Sequence, residues 1–350
     1  MRLIERTLQL VILILTIIVG LLIIGSIPDD LSFKEQKKIP KPKSQPIVIE
    51  ESLPPSSFSQ IISRLSLVPF LKSDVLPVAI VIENHEGARP HQRGLEDALM
   101  IQEHMVEGFI SRFVAIYNNK NIPEIVGPVR SLRPYFIDAI APLTGIFLHA
   151  GGSPEALDKV ASDSDLYSIN GLYHDDKNNG GEYFRINGIP APHDLFTGIK
   201  SITPLLPEDI DEVKWPPYKT GNVQSGSGAK AIKVNFFNPL HNVSYAYQWG
   251  TKTYKRTNGG VISSAEPSNV LILEMPIKGA GEFGRLDIDM VGRGKIQLFR
   301  SGKMIEGLWH KEALGSFFTF EDLNGEELNF ARGQVWMMFV PSLGRVSFEG

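Results

Sequence analysis

The sequence predicts an α/β or α+β N-terminal domain, then a β-rich C-terminal domain, both behind a single N-terminal transmembrane helix. Three observations carry this. A nearly unbroken apolar run opens the chain. Short β-branched runs alternate with helix signals over residues 76–205. From Ala231 onward, strand-like runs follow one another with turn signals between them.

The apolar run is Leu8–Ile24, diluted by Gln9 and Thr16. At about 1.5 Å per residue it spans, with Ser26 and Ile27, roughly the 30 Å hydrocarbon core of a bilayer. Arg2 and Arg6 precede it, and Pro28, Asp29 and Asp30 follow. The positive-inside rule then keeps the N-terminus cytoplasmic and exports the rest, giving a single-pass plasma-membrane protein. The competing reading is a cleaved signal peptide, but the run is longer than the usual 7–15 residues and no small-x-small site follows. Residues 1–28 are thus expected as cytoplasmic tip and anchor, and 29–75 as a linker whose prolines and lysines favour extended chain.

Pro77–Ile82 (PVAIVI) reads as a buried strand that ends at the polar loop Glu83–Pro90. Gly94–Ala98 forms a helical turn. Leu99–Val106 and Ile110–Tyr117 pair as a hairpin around Glu107–Gly108. Pro134 opens a helix over about 134–142, and Gly145–Ala150 is a further strand. Ser153 and Pro154 suit the N-cap and first position of the next helix. Residues 206–230, rich in Pro, Gly and Ser, mark an interdomain linker, and 231–350 the β-rich domain. Asn258-Gly259, Ser301-Gly302 and Asn324-Gly325 are its turn signals, and a small sandwich or half-barrel is the expected form. Its tryptophans read as core.

Composition limits the chemistry. The 350 residues contain no Cys, which excludes disulfides, Cys-ligated metals and a thiol nucleophile. A net charge of −4 gives no argument for nucleic-acid binding. His85 and His91 lack a ligand spacing, so no metal site and no cofactor is expected. Polar residues gather at predicted strand ends and loops, where functional groups concentrate. Arg130, Ser131 and Arg133 stand beside a helix start, and Gly151, Gly152 and Ser153 form a second one. Guanidinium forks with free helix amides make an anion site, to which Arg89, Arg112, Arg185 and His193 add. The alternative is that these arginines tie loops together through Glu83 and Glu107. His149 and Glu83 are the candidate general bases.

The segments VIENHEGARPHQRGLEDA, EHMVEGFISRFVAIY, GPVRSLRPYFIDA, FLHAGGSPEAL, YFRINGIPAPHDLF, KTYKRTNGG, LFRSGKMIEGLW and ARGQVWMMFVP resemble the YerB-like family. These are bacterial predicted lipoproteins built from paired N- and C-terminal domains of unknown function. The resemblance covers nearly all of 76–341. It implies a cell-surface protein with an α/β-type domain followed by a β-rich one, and it supplies no activity and no catalytic residue. The family's lipid-bearing cysteine is missing here, which favours a transmembrane anchor. The expected function is a membrane-anchored envelope protein that grips an anionic wall-associated ligand through an arginine-rich cleft. The alternatives are a hydrolase or transferase acting on envelope polymers, and an assembly protein that contacts another envelope protein.

Overall fold

A computed structural model describes residues 76–174, 181–206, 218–223, 225–280 and 284–350, all within one compact unit. The anchor Leu8–Ile24 and the linker 29–75 lie outside the described residues. Among the described residues no helix is long and apolar enough to cross a membrane.

The first half supplies β1 (Pro77–Glu83), β2 (Met100–Met105), β3 (Ser111–Asn118), helix α1 (Pro134–Ile140), β4 (Ile146–His149), helix α2 (Pro154–Ser162), β5 (Tyr167–Asn170) and a minimal hairpin, β6 (Phe184–Arg185) with β7 (Leu195–Phe196). The second half supplies β8 (Ser227–Gly228), β9 (Ala231–Val234), β10 (Val243–Gln248), β11 (Thr253–Asn258), β12 (Val261–Ile262), β13 (Asn269–Glu274), β14 (Ile277–Gly279), β15 (Leu286–Ile288), β16 (Gly292–Arg300), β17 (Lys303–Lys311), β18 (Thr319–Asp322), β19 (Val335–Val340) and β20 (Val346–Glu349).

One mixed sheet dominates. Its order is β18-β17-β16-β13-β19-β2-β3-β1-β4-β5, with β8 added against β17. The second half is divided between this sheet and a separate five-stranded one, β12-β11-β10-β9-β20. The reason lies in the residues. Asn269–Glu274 (NVLILE) and Val335–Val340 (VWMMFV) are apolar on both faces, the pattern of a strand covered above and below. Both therefore sit in the middle of the large sheet. Val335 pairs in parallel register with Met100 and Met338 with Glu103, so β19 docks on β2 and joins the two halves.

The pleat sorts side chains into two cores. Val78, Ile80, Ile82, Val270, Ile272, Trp336 and Met338 face one side, with Ile232, Val243, Tyr245 and Tyr254 of the five-stranded sheet. Ala79, Val81, Leu271, Leu273, Met337 and Phe339 face the other, with Tyr135, Phe136, Ile137 and Ile140 of α1 and Ala156 of α2. The large sheet is thus the middle layer between helices and a second sheet.

Local signals act as expected. Pro134 holds the first helical position behind an extended Arg133. The Ser153 side chain caps α2 by accepting from the Ala156 amide. Ser301 and Gly302, both at positive φ, turn β16 into β17. Trp309 and Trp336 are buried, Trp249 is exposed, and Trp215 lies outside the described residues. Within the segment read as a linker, Ser227–Gly228 pairs with β17 and Thr220 bridges Phe330.

Candidate functional site

β1, β4 and β5 run parallel, so their carboxyl ends open on one edge, the usual place for ligands in such sheets. Residues 128–132 are wedged across that edge. The Glu83 amide donates to the Pro128 carbonyl at 2.9 Å, and the Arg130 amide to Val81 at 2.9 Å. On the other side, the Ala150 amide donates to Arg130 at 2.9 Å and the Leu132 amide to Gly151 at 3.0 Å. This lacing brings arginines 130 and 133 to the ends of β1 and β4.

Glu83, the last residue of β1, is 5% exposed. Its carboxylate accepts from Arg130 Nε at 3.0 Å and from His193 Nδ1 at 2.9 Å. A carboxylate on Nδ1 leaves Nε2 as the basic nitrogen of a neutral ring. The His85 ring stacks on His193 with centroids 5.3 Å apart. Gly87 must be glycine for this contact, since a Cβ there would lie 2.9 Å from His193 Nε2. His85 Nε2 in turn lies 3.3 Å from a Glu86 carboxylate oxygen, and His241 Nε2 4.0 Å from the same oxygen.

Two more guanidinium groups lie close by. Arg112 is the cross-strand partner of Glu83 and donates to the Ser131 carbonyl at 2.8 Å. Burial lowers its pKa to about 10, and the neighbouring Arg133 and Arg130 charges lower it too. Arg133 donates through Nε to Glu107 at 2.8 Å. Three guanidinium groups therefore meet at the strand ends, where Glu83 pairs with Arg130, Glu107 pairs with Arg133, and Arg112 is held by the Ser131 carbonyl.

Other expected residues take structural contacts. The His149 ring is fully buried, with Nδ1 2.7 Å from the Gly151 carbonyl and Nε2 2.7 Å from Ser168 Oγ. Burial lowers its pKa to about 4, against the Gly151 carbonyl, so the ring is neutral and both nitrogens are engaged. It ties β4 to β5 and meets no open space. The Gly151 amide donates to Asn170 at 2.8 Å and the Ser153 amide to Leu132 at 3.2 Å. Gly152 forms a bridge with Leu132. Ser131 Oγ donates to the Ala150 carbonyl. Arg185 binds Asp194 at 2.7 Å and so fixes the hairpin that carries His193. Arg89 turns away to the second half, where it donates to the Leu240 carbonyl and contacts His241 Nδ1 at 2.8 Å. Among the described residues no group of three or more His, Asp or Glu is set to hold a metal.

Sequence reasoning missed one feature entirely. Glu103 and Arg256, 0% and 1% exposed at their side chains, form a buried ion pair at 2.8 Å between the halves. Trp336 Nε1 and Ser111 Oγ also donate to that carboxylate, at 2.8 and 2.5 Å. The Arg256 guanidinium lies over the Trp336 ring, 4.4 Å from its centroid. Asn84 extends the seam, donating to Ser111 Oγ and Asn258, each at 2.8 Å. Three consecutive polar residues, Gln102–His104, inside the buried strand Met100–Met105 were the available signal.

Comparison with known proteins places these features in a family. The N-terminal domain model of the protein of unknown function DUF3048 matches residues 71–210, and its C-terminal domain model matches 232–337. The chain belongs to the DUF3048, or YerB-like, family. It is 32% identical over 286 residues to the "Putative lipoprotein YerB" of Bacillus subtilis strain 168, covering 78% of this chain and 83% of that one. The crystal structure of the Bacillus subtilis YerB protein superposes with a TM-score of 0.71 at 30% identity, over 82% of this chain and 99% of that one. The family descriptions carry no activity, so the reading of the strand-end cluster rests on its own chemistry.

Proposed function

We propose that this protein is a membrane-anchored, extracytoplasmic component of the bacterial cell envelope that binds an anionic wall-associated group at the carboxyl ends of β1 and β4. The anchor is Leu8–Ile24, in line with the lipoprotein description of its relative. One observation carries the binding reading: Arg112, Arg130 and Arg133 meet at these strand ends, where Glu83 pairs with Arg130, Glu107 pairs with Arg133, and Arg112 is held by a backbone carbonyl. Glu83 takes the Arg130 Nε, and the rest of that fork, partly exposed, is left for an incoming carboxylate or phosphate.

Sedimentation with purified wall material tests this. Binding falls about tenfold in Arg130→Ala or Arg133→Ala, the scale of one lost charge-assisted hydrogen bond. It also falls with added salt, which screens a partly exposed site. Both variants sedimenting like the parent would remove the proposal.

The Glu83–His193 pair supports a second reading, a hydrolase acting on the same polymers. The carboxylate orients an imidazole whose other nitrogen is available as a general base. Release of soluble fragments by the parent, lost in His193→Gln while sedimentation persists, would favour it.

A further inference from the structure

A second cluster of cations lies far along the sequence from the β1 site and is independent of it. A cavity of about 480 Å³ opens where residues 220–222, the β10–β11 turn, the β16–β17 turn and residues 330–332 meet. Among the described residues its charged lining is Lys252, Arg300 and Arg332, with no acidic residue. Hydroxyls of Thr220, Ser268 and Ser301 complete the polar wall.

Arg300 is the unusual member. It is 4% exposed. Its terminal nitrogens donate to the backbone carbonyls of Asn329 at 2.5 Å and Gly221 at 2.8 Å. Its Nε is buried and has no hydrogen-bond partner. A buried guanidinium is normally matched by a carboxylate, as Arg256 is by Glu103. Arg300 has carbonyl dipoles only. Burial lowers its pKa, and the ionisable groups that face it are the hydroxyls of Tyr247 and Tyr254, which are neutral at pH 7. Among the described residues, Lys252 and Arg332 also form no ion pair. Three formal positive charges thus face one cavity with no counter-ion among the described residues.

We propose that this cavity binds the phosphoryl group of a small phosphate ester. A carboxylate offers one charge and two oxygens. A phosphoryl group offers up to two charges and three strong acceptors, which match a fork, an ammonium and flanking hydroxyls better. The volume exceeds what a bare phosphate fills, and the hydroxyl-lined wall suits a polar, hydroxylated ester moiety. The turns that carry Lys252 and Ser301 hold both residues at positive φ, 59° and 52°.

Calorimetric titration of the full chain tests the assignment, with inorganic phosphate, glycerol phosphate and acetate as probes. Glycerol phosphate is expected to bind saturably and more tightly than acetate. Lys252→Ala and Arg332→Ala, both at exposed positions, each weaken it about tenfold, and the double variant about a hundredfold. Inorganic phosphate binding as tightly as the ester also supports the site, and makes free phosphate the ligand source. Arg300→Met is expected to abolish binding. If it fails to fold, the surface double variant decides. No saturable binding of either phosphate probe, or equal binding by parent and double variant, overturns the proposal.

Discussion

Single buried rings make this protein sensitive to acid. His104 stacks on Phe339 with centroids 4.2 Å apart, and burial lowers its pKa to about 3. His149 is lowered to about 4, mainly by burial. In the unfolded chain both titrate near 6.5. Above that pH both states hold neutral rings and the full stability is present. As the pH falls from about 6.5 toward 4, the unfolded chain takes up protons that the native state refuses, so stability declines. By about pH 4.5 the loss is roughly 5 kcal/mol, divided about equally between the two rings. Urea midpoints across this range measure it, and His104→Gln, which has no proton to gain, flattens part of the slope. A parent midpoint that does not move between about pH 7 and 4.5 contradicts this account. Residues at this scale were only partly legible beforehand. Glu83, Arg130 and His193 were each visible as polar groups on loops, but their meeting spans 110 residues between Glu83 and His193. No local pattern encodes such a contact. The partners His241 and Glu86 come from segments still farther apart in the chain.

Elements were far more legible than contacts. Proline, glycine and cap residues act through their own backbone preferences, so Pro134, Ser153 and the Ser301-Gly302 turn could be placed without any tertiary information. The helix that Ser153 caps has one fully buried position, Ala156, and therefore depends on its ends more than on packing. Ser153→Ala is expected to cost about 1 kcal/mol, read from the urea midpoint. It should leave the large sheet intact by far-ultraviolet circular dichroism. A loss of several kcal/mol would instead mean that the Gly151–Ser153 loop is needed for the whole sheet edge. What the element patterns could not supply was partner choice. VWMMFV announces a strand buried on both faces, yet nothing in it names β2 as a neighbour. The C-terminal strands read as a self-contained small sandwich or half-barrel for that reason.

At the scale of the molecule, the two sequence halves are coupled by the β2–β19 pairing and by the Glu103–Arg256 seam beneath it. Removing one partner of a buried ion pair costs about 3–5 kcal/mol, because the other charge is left unmatched. The stronger consequence concerns fragments. Residues 76–205 alone would expose Met100–Met105, a strand whose six positions are all buried here, as an unpaired edge. Such a fragment is expected to aggregate, or to show no cooperative unfolding transition, while the intact chain unfolds as one unit. A soluble, cooperatively folded 76–205 fragment would show that β19 is dispensable.

The central position of β19 also dictates when folding can finish. Trp336 donates to Glu103 across a separation of 233 residues, so the middle of the sheet cannot close until a strand far along the chain has joined it. Such long-range closure is slow. The centre of the sheet thus stays open along β2 until β19 docks on it.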